Sequence, residues 1–271
     1  MTRRSRLYCA RPPARLQIFP IFELQEASPL QTDAASGLLK RGKSSATDAA
    51  YFIDDVARLW PGPLYADVSR VESVAPRAAW WHLLAALNGL RTAPIQLMPV
   101  MVPQDTRSEL ATAAPLAASS GRGALRIRMS QLQPMPSWVG SVVATTAAGL
   151  GISIGALDVI LDWEDSLENM ALDDLEARTV DAIRSLGMPG DQVILAGTPN
   201  SASFVQTGDW SVVRREWWLW LRVRAKGYDI SYGDYALYPP SSPAPVGPKY
   251  GHLRYSSNDR LYVHRRGVPP T

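Results

Sequence analysis

The chain has 271 residues, of which 46% are hydrophobic and 20% are charged, with a formal net charge of +3 and one cysteine. This composition excludes a disordered or fibrous chain, and a lone cysteine excludes an internal disulfide. Because the longest apolar runs are rich in Gly, Ala, Ser and Thr, and no apolar stretch follows the amino-terminal arginines, we expect a cytoplasmic protein without a membrane span or secretory signal.

Residues 1–15 form a basic amino-terminal arm ahead of the first predicted strand. Seven short apolar segments, bounded by glycine, proline or polar turns, then follow and predict β-strands. In chain order they are LQIFPIFEL (16–24), LYADV (64–68), PIQLMPVMV (94–102), ALRIRM (124–129), LDVILDW (157–163), QVILAG (192–197) and ISYGDYAL (230–237). The predicted fold is built on these segments.

Helical patterns lie between the strands. They are predicted at residues 48–59, 76–90, 107–119 and 211–225. A further helix follows the fifth strand, where Asp165 and Glu168 have the spacing of a capping arrangement. Its apolar face runs to Leu186, and Gly187 ends it. Strands and helices that alternate at intervals of about 30 to 40 residues predict an α/β fold, a TIM-like (β/α) barrel of parallel strands.

The two ends of the chain depart from this alternation. Because only the arm precedes the first strand, we expect the first β/α unit to be shortened or missing. Residues 239–249, PPSSPAPVGPK, contain five prolines and predict an irregular loop. Residues 250–267 predict a carboxy-terminal β-hairpin that turns at Ser256 to Asp259. We interpret residues 1–271 as one domain.

Several of these segments together resemble the Beta protein family, which is named after a bacteriophage protein and occurs widely in bacteria. The most specific are SYGDYALYPP and, after the proline-rich loop, HLRYSSNDRLYVHRRG. Earlier segments of the family are similar to IFPIFEL, GRGALRIRM, VILDWED and RREWWLW, so that the resemblance covers residues 16–267. The family has a fuller first strand and helix than this chain. The resemblance implies an association with conflicts between phages and bacteria and leaves the activity open.

Strand parity sorts the charged residues between the two faces of the predicted sheet, because side chains alternate along a strand. In ALRIRM, Arg126 and Arg128 lie opposite to the apolar side chains. Both point into the barrel if the apolar face meets the helices. The same test places four acids on the inner face: Glu23, Asp67, Asp162 and Asp234. We therefore expect these acids and arginines to converge near the mouth, where (β/α) barrels have their active sites.

Two interpretations of this cluster stay open. In the first, the four acids are catalytic and act as general acid and base or bind Mg²⁺ or Mn²⁺, with Asp67 and Asp162 as candidate metal ligands. The substrate-binding residues are then Arg126, Arg128, Tyr232, Arg254 and Tyr255. The protein would be a metal-assisted hydrolase of a phosphorylated or nucleotide substrate. In the second interpretation, the charges form a salt-bridge network that fixes the barrel.

The other function that the sequence suggests is binding, and the family resemblance implies that the protein is a component of a phage or bacterial defence system. Its partner would be a protein or a nucleic acid, held by basic runs and by the Trp-rich segment DWSVVRREWWLWLRVRAK. Helical spacing in that segment predicts a covering face formed by Val213, Trp217, Trp220, Leu221 and Arg224. Trp218 is expected on the opposite side. Whether the protein is an enzyme, and its oligomeric state, stay open.

The segment GLLKRGKS, residues 37–44, matches the spacing of a phosphate-binding loop. Such a loop needs a strand directly before its first glycine, because the backbone amides wrap the phosphates at that junction. Here QEASPLQTDAAS separates the predicted strand from Gly37. We favour a basic exposed loop and keep a nucleotide loop as the alternative.

Overall fold

In this computed structural model the described residues are 20–24, 31–32, 39–40, 49–50, 52–54, 58, 60, 62–71, 76–131, 139–164, 166–198, 208–234, 250–257 and 259–267. The strands among them are β1 (Ile21–Glu23), β2 (Gln31–Thr32), β3 (Leu39–Lys40), β4 (Leu64–Asp67), β5 (Leu97–Met101), β6 (Gly123–Arg128), β7 (Leu157–Asp162), β8 (Val193–Gly197), β9 (Gly208–Val213), β10 (Ser231–Asp234), β11 (Tyr250–Ser257) and β12 (Arg260–Gly267). The longer helices are α1 (Arg77–Gly89), α2 (Arg107–Ser120), α3 (Val139–Leu150), α4 (Leu172–Leu186) and α5 (Arg215–Ala225).

Seven strands, one in each predicted segment, form a parallel sheet. Their order across the sheet is β1, β4, β5, β6, β7, β8 and β10, and every neighbouring pair is parallel. Within the described ranges β1 and β10 do not pair with each other, so the sheet is open. The prediction of an α/β fold on a parallel sheet is confirmed as a curled half-barrel with helices. Closure into a complete TIM-like barrel is not confirmed.

One hydrogen bond shows how strongly the sheet curls. The Tyr65 hydroxyl on β4 donates to Asp158 Oδ2 on β7 at 2.5 Å, although β5 and β6 lie between these two strands. In a flat sheet, strands three positions apart would be separated by about 14 Å, which is too far for one tyrosine side chain. One face of the sheet is therefore concave, and side chains from distant strands meet on it.

The two faces of the sheet pack against different partners, because side chains alternate along each strand. On β6, Leu125 and Ile127 belong to the large apolar core that the sheet forms with the helices. The concave face has a smaller apolar cluster that includes Met98 and Ile160. Arg126 lies between Leu125 and Ile127 in the strand and points to the concave side. The strands are consequently apolar on one face and mixed on the other.

The helix after β7 begins later than predicted. Residues Ser166–Asn169, which include part of the predicted cap, form a 3₁₀ turn, and α4 starts at Leu172 without a side-chain cap. Asp165 and the side chain of Glu168 lie outside the described part of the chain, so their capping arrangement stays a prediction. Gly187 ends the helix as predicted, in the left-handed conformation at φ 62° that favours glycine. Helix α3 was not predicted, because its Gly, Ala and Thr residues give a weak pattern that packing overrides.

The Trp-rich segment is divided between a strand and a helix. Residues 211–213 lie in β9 rather than in a helix, and α5 begins at Arg215. Helix α5 buries Glu216, Leu219 and Val223. Leu221, which was predicted on the covering face, is exposed, so the predicted face is rotated from the observed one.

The predicted carboxy-terminal hairpin is present. Strands β11 and β12 pair in antiparallel fashion as far as Ser257 and Arg260, and β9 adds a third strand to this second sheet. The backbone N–H of Arg214 donates to the carbonyl oxygen of Asp259 at 2.7 Å. This bond joins the hairpin turn to the start of α5.

Two predicted segments, the basic arm 1–15 and the proline-rich loop 239–249, lie outside the described residues. Of GLLKRGKS, Leu39 and Lys40 are described, and they pair with β2 in antiparallel fashion. This extended pairing differs from the wrapped loop that a nucleotide site needs at these positions. None of the helices in the described ranges combines the length and the hydrophobicity that crossing a bilayer would require.

Candidate functional site

Arg126 lies on the concave face between acids from two other strands. Its Nη1 donates to Asp67 Oδ2 at 2.5 Å, and its Nε donates to Asp162 Oδ2 at 2.7 Å. Asp67 ends β4 and Asp162 ends β7, so the three side chains connect strands from both sides of the curl. All three side chains are buried, with Arg126 only 2% exposed. Burial of these charges depends on their pairing, because an unpaired buried charge is strongly unfavourable.

The other carboxylate oxygens of this triad are bonded as well. Asp67 Oδ1 accepts from the backbone N–H of Ser69 at 2.7 Å, and Asp162 Oδ1 accepts from that of Glu164 at 2.9 Å. All four oxygens of the two acids therefore have a protein donor. The triad holds the carboxyl ends of β4, β6 and β7 in a fixed arrangement.

A more exposed cluster lies just beyond these strand ends, and we name it the rim cluster: Glu164, Arg70 and Arg128. Glu164 Oε1 is 2.8 Å from Arg70 Nη2 and 3.3 Å from Arg128 Nε. The side chains of Glu164, Arg70 and Arg128 are 16%, 21% and 22% exposed. Arg128 Nη2 also donates to the Ser69 hydroxyl at 3.2 Å. Two guanidiniums, one from the end of β6 and one from the turn after β4, thus meet at one carboxylate oxygen of a partly exposed side chain.

The backbone of Glu164 is held in an uncommon conformation. Its φ of 51° lies in the left-handed region, which residues other than glycine rarely adopt. Two backbone hydrogen bonds fix it there: its N–H donates to Asp162, and its carbonyl oxygen accepts from the N–H of Thr198 at 2.9 Å. These bonds tie the end of β7 to the end of β8 and direct the Glu164 side chain to the rim.

The electrostatic environment of Glu164 disfavours its charged form. Burial raises the pKa of its carboxyl group, the nearby carboxylate of Asp162 raises it further, and Arg128 and Arg70 oppose this. The pKa is therefore above its ordinary value. Perturbed carboxyl groups of this kind are concentrated at functional sites, although ion-pair networks also produce them.

Asp105, in the turn after β5, is a second perturbed acid at the same end of the sheet. Its Oδ2 accepts from the backbone N–H of Val102 at 2.7 Å, and its Oδ1 is 3.0 Å from Arg77 Nη1. Arg77 also donates from Nε to Glu109 Oε1 at 2.9 Å, which joins the starts of α1 and α2. Burial raises the pKa of Asp105 to about 6, and the neighbouring charges of Glu109 and Asp67 contribute in the same direction.

A third polar cluster lies on the concave face toward the other ends of the strands. Asp158 accepts from the Tyr65 hydroxyl and, at 2.6 Å, from Arg122 Nη2. Burial and the negative charge of Asp158 raise the pKa of Tyr65, so its hydroxyl remains a hydrogen-bond donor. This cluster lies on the concave face near the amino ends of β4 and β7, opposite to the rim cluster.

A family model described as Beta protein matches residues 7–270, nearly the whole chain. The chain belongs to the Beta protein family. The resemblance recognised in the sequence is thereby confirmed and extends slightly beyond residues 16–267. A search of curated proteins finds no match.

In this Beta protein, two of the four predicted acids meet an arginine of the predicted site. Asp67 and Asp162 contact Arg126 directly. Glu23 lies at the end of β1 in register with Asp67, and Asp234 ends β10 in register with Gly197. The side chains of Glu23 and Asp234 lie outside the described part of the chain, so their catalytic roles stay predictions.

The predicted substrate-binding residues are divided between the two sheets. Arg126 and Arg128 lie on the concave face, Arg126 in the triad and Arg128 in the rim cluster. Arg254 and Tyr255 lie in β11 of the antiparallel sheet, and their side chains are outside the described part. A binding role for this pair stays a prediction.

The position of Tyr232 on β10 differs from the prediction, which placed it on the inner face of the sheet. It is in register with Leu195, which belongs to the core on the helix side of the sheet, and residues in register on parallel strands share a face. Its ring packs against Trp217 and Trp220 of α5, at centroid distances of 5.3 and 5.7 Å. Arg214 Nη2 donates to its hydroxyl. Tyr232 therefore stabilises α5 on the sheet. It was expected on the same face as Arg126, but it lies on the opposite face.

Sequence reasoning missed Glu164, Arg70 and Asp105. All three follow the end of a strand, where alternation no longer indicates direction. The segment VILDWED contained a usable signal for Glu164, because a second acid lies two residues after the strand-ending Asp162. No group of three or more His, Cys, Asp or Glu side chains arranged to hold a metal ion occurs among the described residues.

Proposed function

We propose that the protein binds a phosphate-bearing ligand at the rim of the concave face, through Arg70 and Arg128. The observation that supports this best is that both guanidiniums contact one carboxylate oxygen of Glu164, at 2.8 and 3.3 Å. The place between them already accommodates an anionic group. Guanidinium groups bind phosphate and carboxylate by forked hydrogen bonds and stay charged at physiological pH.

The position of the rim cluster supports the same proposal. Ligands of parallel α/β sheets bind beyond the carboxyl ends of the strands, and Arg70, Arg128 and Glu164 all lie at that end. The buried Arg126 triad beneath them fixes the strand ends from which the two arginines extend. A rigid support of this kind holds binding groups in place before the ligand arrives.

The charge of the site favours phosphate over a monocarboxylate. If a ligand replaces Glu164 between the arginines, it meets two positive charges. A phosphate monoester carries a charge of about −1.5 to −2 at neutral pH and has three acceptor oxygens. It therefore matches both guanidiniums better than a singly charged carboxylate does.

Metal-assisted hydrolysis, the alternative from the sequence, has weaker support. Its candidate ligands, Asp67 and Asp162, both bind Arg126, and all four of their oxygens accept from protein donors. Mg²⁺ or Mn²⁺ needs free carboxylate oxygens and would have to displace a buried guanidinium. The donor set therefore does not fit a divalent cation in this arrangement.

Calorimetric titration with inorganic pyrophosphate tests the proposal. We expect binding to the wild-type protein and a loss of about tenfold or more in affinity for Arg128→Met, because a charge-assisted hydrogen bond to phosphate is removed. Arg224→Met is the matched control, since Arg224 is an exposed arginine that pairs with Asp229 on another surface. Absence of binding, or equal affinities for the wild type and Arg128→Met, would contradict the proposal.

A second candidate function is attachment to a protein partner, which the family resemblance associates with phage and bacterial conflict. The observation in its favour is an exposed apolar pair on α5: Trp218 is 41% exposed, and Leu221 lies one turn later. The neighbouring cations are paired, Arg222 with Asp173 at 2.6 Å and Arg224 with Asp229. Paired cations favour a protein partner over a nucleic acid.

Two measurements distinguish these partners. In mobility-shift assays with DNA at low and moderate salt, we expect no complex, because electrostatic nucleic-acid binding requires available cations and weakens steeply with salt. A defined protein that co-purifies with the wild type should be lost from the double variant Trp218→Ala, Leu221→Ala and kept by Arg91→Met, since Arg91 pairs with Asp54 and belongs to another element. A salt-sensitive DNA complex, or a partner retained by the double variant, would contradict this candidate.

A further inference from the structure

We infer that Glu164 is an internal ligand of Arg70 and Arg128, which an incoming phosphate group displaces. The inference rests on the proposed binding function and adds a competition within the same site. Glu164 presents one oxygen, Oε1, to both guanidiniums, at 2.8 and 3.3 Å. A carboxylate in this position makes the contacts that a ligand phosphate oxygen would make. The chain therefore closes its own anion site.

The contacts of Glu164 are of the kind that a ligand can replace. Its second oxygen, Oε2, accepts from the Ser130 hydroxyl at 3.4 Å, which is a long hydrogen bond. The Arg128 Nε atom lies 3.3 Å from Oε1 and makes no hydrogen bond of good geometry there. The short hydrogen bond to the carboxylate is the one from Arg70 Nη2 at 2.8 Å, and a phosphate with three oxygens would satisfy both guanidiniums more fully.

Hydrogen bonds hold the backbone of Glu164 in place, so that its side chain can move without a movement of the sheet. The bonds from its N–H to Asp162 and from Thr198 N–H to its carbonyl oxygen fix the main chain. The left-handed φ of 51° is imposed by these surroundings, and such outliers are concentrated at ligand sites and switches. The side chain is 16% exposed, and rotation about its own bonds would be enough to turn it away from the arginines. Glu164 can thus leave the arginines while β7 and the triad stay in place.

The neighbouring charges determine which anions can displace Glu164. Once its carboxylate has left, Arg70 and Arg128 present two positive charges to the ligand. As long as Glu164 pairs with both arginines, it lowers the affinity of the site for weakly binding anions. A ligand with more than one negative charge overcomes this competition, because it gains both guanidiniums at once.

The chain offers a matched control for the loss of a doubly paired carboxylate. Glu176 on α4 lies 2.5 Å from Arg222 and 2.6 Å from Lys226, both of α5 or its end. It resembles Glu164 in having two cationic partners, but it lies between two helices away from the rim cluster. Glu176→Gln thus removes the same charge and the same kind of pairing without touching the proposed site.

The experiment is calorimetric titration of pyrophosphate into the wild type, Glu164→Gln and Glu176→Gln, with folding checked by circular dichroism. We expect Glu164→Gln to bind about tenfold more tightly than the wild type, because a neutral amide competes poorly for two guanidiniums, and Glu176→Gln to bind as the wild type does. If Glu164→Gln does not fold, Glu164→Ser provides the same comparison with a shorter neutral side chain.

The outcomes separate the two proposals. Equal or weaker binding by the neutral variants, with clear binding by the wild type, would overturn the internal-ligand inference and leave the binding function standing. No binding by any of these proteins would overturn both. Tighter binding by Glu176→Gln as well would show a general effect of net charge and would also overturn the inference.

Discussion

Arg126 and Asp162 lie on neighbouring parallel strands, and the guanidinium donates to the carboxylate from Nε at 2.7 Å with both side chains buried. The same guanidinium reaches Asp67 on the other side of the curl. One cation on β6 therefore joins the carboxyl ends of β4 and β7, which are three positions apart in the sheet. The ion pairs of Arg126 hold the rim cluster in position, because Arg70, Arg128 and Glu164 all extend from those strand ends.

Replacement of Arg126 by leucine should strongly destabilise the protein. It would leave the carboxylates of Asp67 and Asp162 buried without their cation, which costs about 3 to 5 kcal/mol in comparable cases. Urea denaturation measures the change in the free energy of unfolding. Arg91→Leu is the control, because Arg91 pairs with the exposed Asp54 and a surface pair contributes about 0 to 1 kcal/mol. Equal losses in the two variants would show that the triad does not hold the strand ends.

Tyr65→Phe tests the curl of the sheet. The variant removes the hydroxyl that donates to Asp158 across β5 and β6, and we expect it to lower the free energy of unfolding by about 1.5 to 3 kcal/mol, since the acceptor is charged and buried. Tyr228→Phe provides a comparison, because the Tyr228 hydroxyl bonds with Arg184 at an exposed position. A Tyr65→Phe variant as stable as Tyr228→Phe would mean that the two strands do not meet in solution.

Asp105 should make stability depend on pH in the acid range. Its pKa is raised from 3.8 to about 6 in the folded protein, chiefly by burial. The folded state therefore binds this proton more tightly than the unfolded state does, and the stabilisation is present at low pH and is lost as pH rises from about 4 to about 6. The shift corresponds to roughly 3 kcal/mol.

Asp105→Asn removes this titration. In urea denaturation between pH 4 and pH 7, we expect the asparagine variant to gain stability relative to the wild type as pH rises. Asp181→Asn is a suitable control, because Asp181 is exposed and pairs only loosely, at 3.8 Å, with Arg184. A constant difference in stability between the wild type and Asp105→Asn across this range would contradict the raised pKa.

The parallel sheet is the part of the fold that sequence patterns predict best. A strand buried on both faces is a short apolar run, and LDVILDW and QVILAG are of this kind. Closure into a barrel depends instead on whether β1 and β10 meet, which no local pattern encodes. Helix α3 and strand β9 were missed because neither has a distinctive periodicity, and their formation depends on packing against the rest of the chain.

Parity was informative along β4, β6 and β7, failed for β10 and gave no information beyond the ends of the strands. It placed Arg126 on the same face as Asp67 and Asp162, because alternation holds along β4, β6 and β7. It misjudged Tyr232, since it indicates which residues share a face but not which face of β10 meets the helices. Glu164 lies after the end of β7, where its left-handed backbone conformation sets the direction of the side chain.

A crystal structure of the protein with pyrophosphate bound tests the central claim most directly. We predict a phosphate group within hydrogen-bond distance of both Arg70 and Arg128, with the Glu164 side chain turned away and the Arg126 triad unchanged. Pyrophosphate bound at another surface, with Glu164 still on both arginines, would contradict the account.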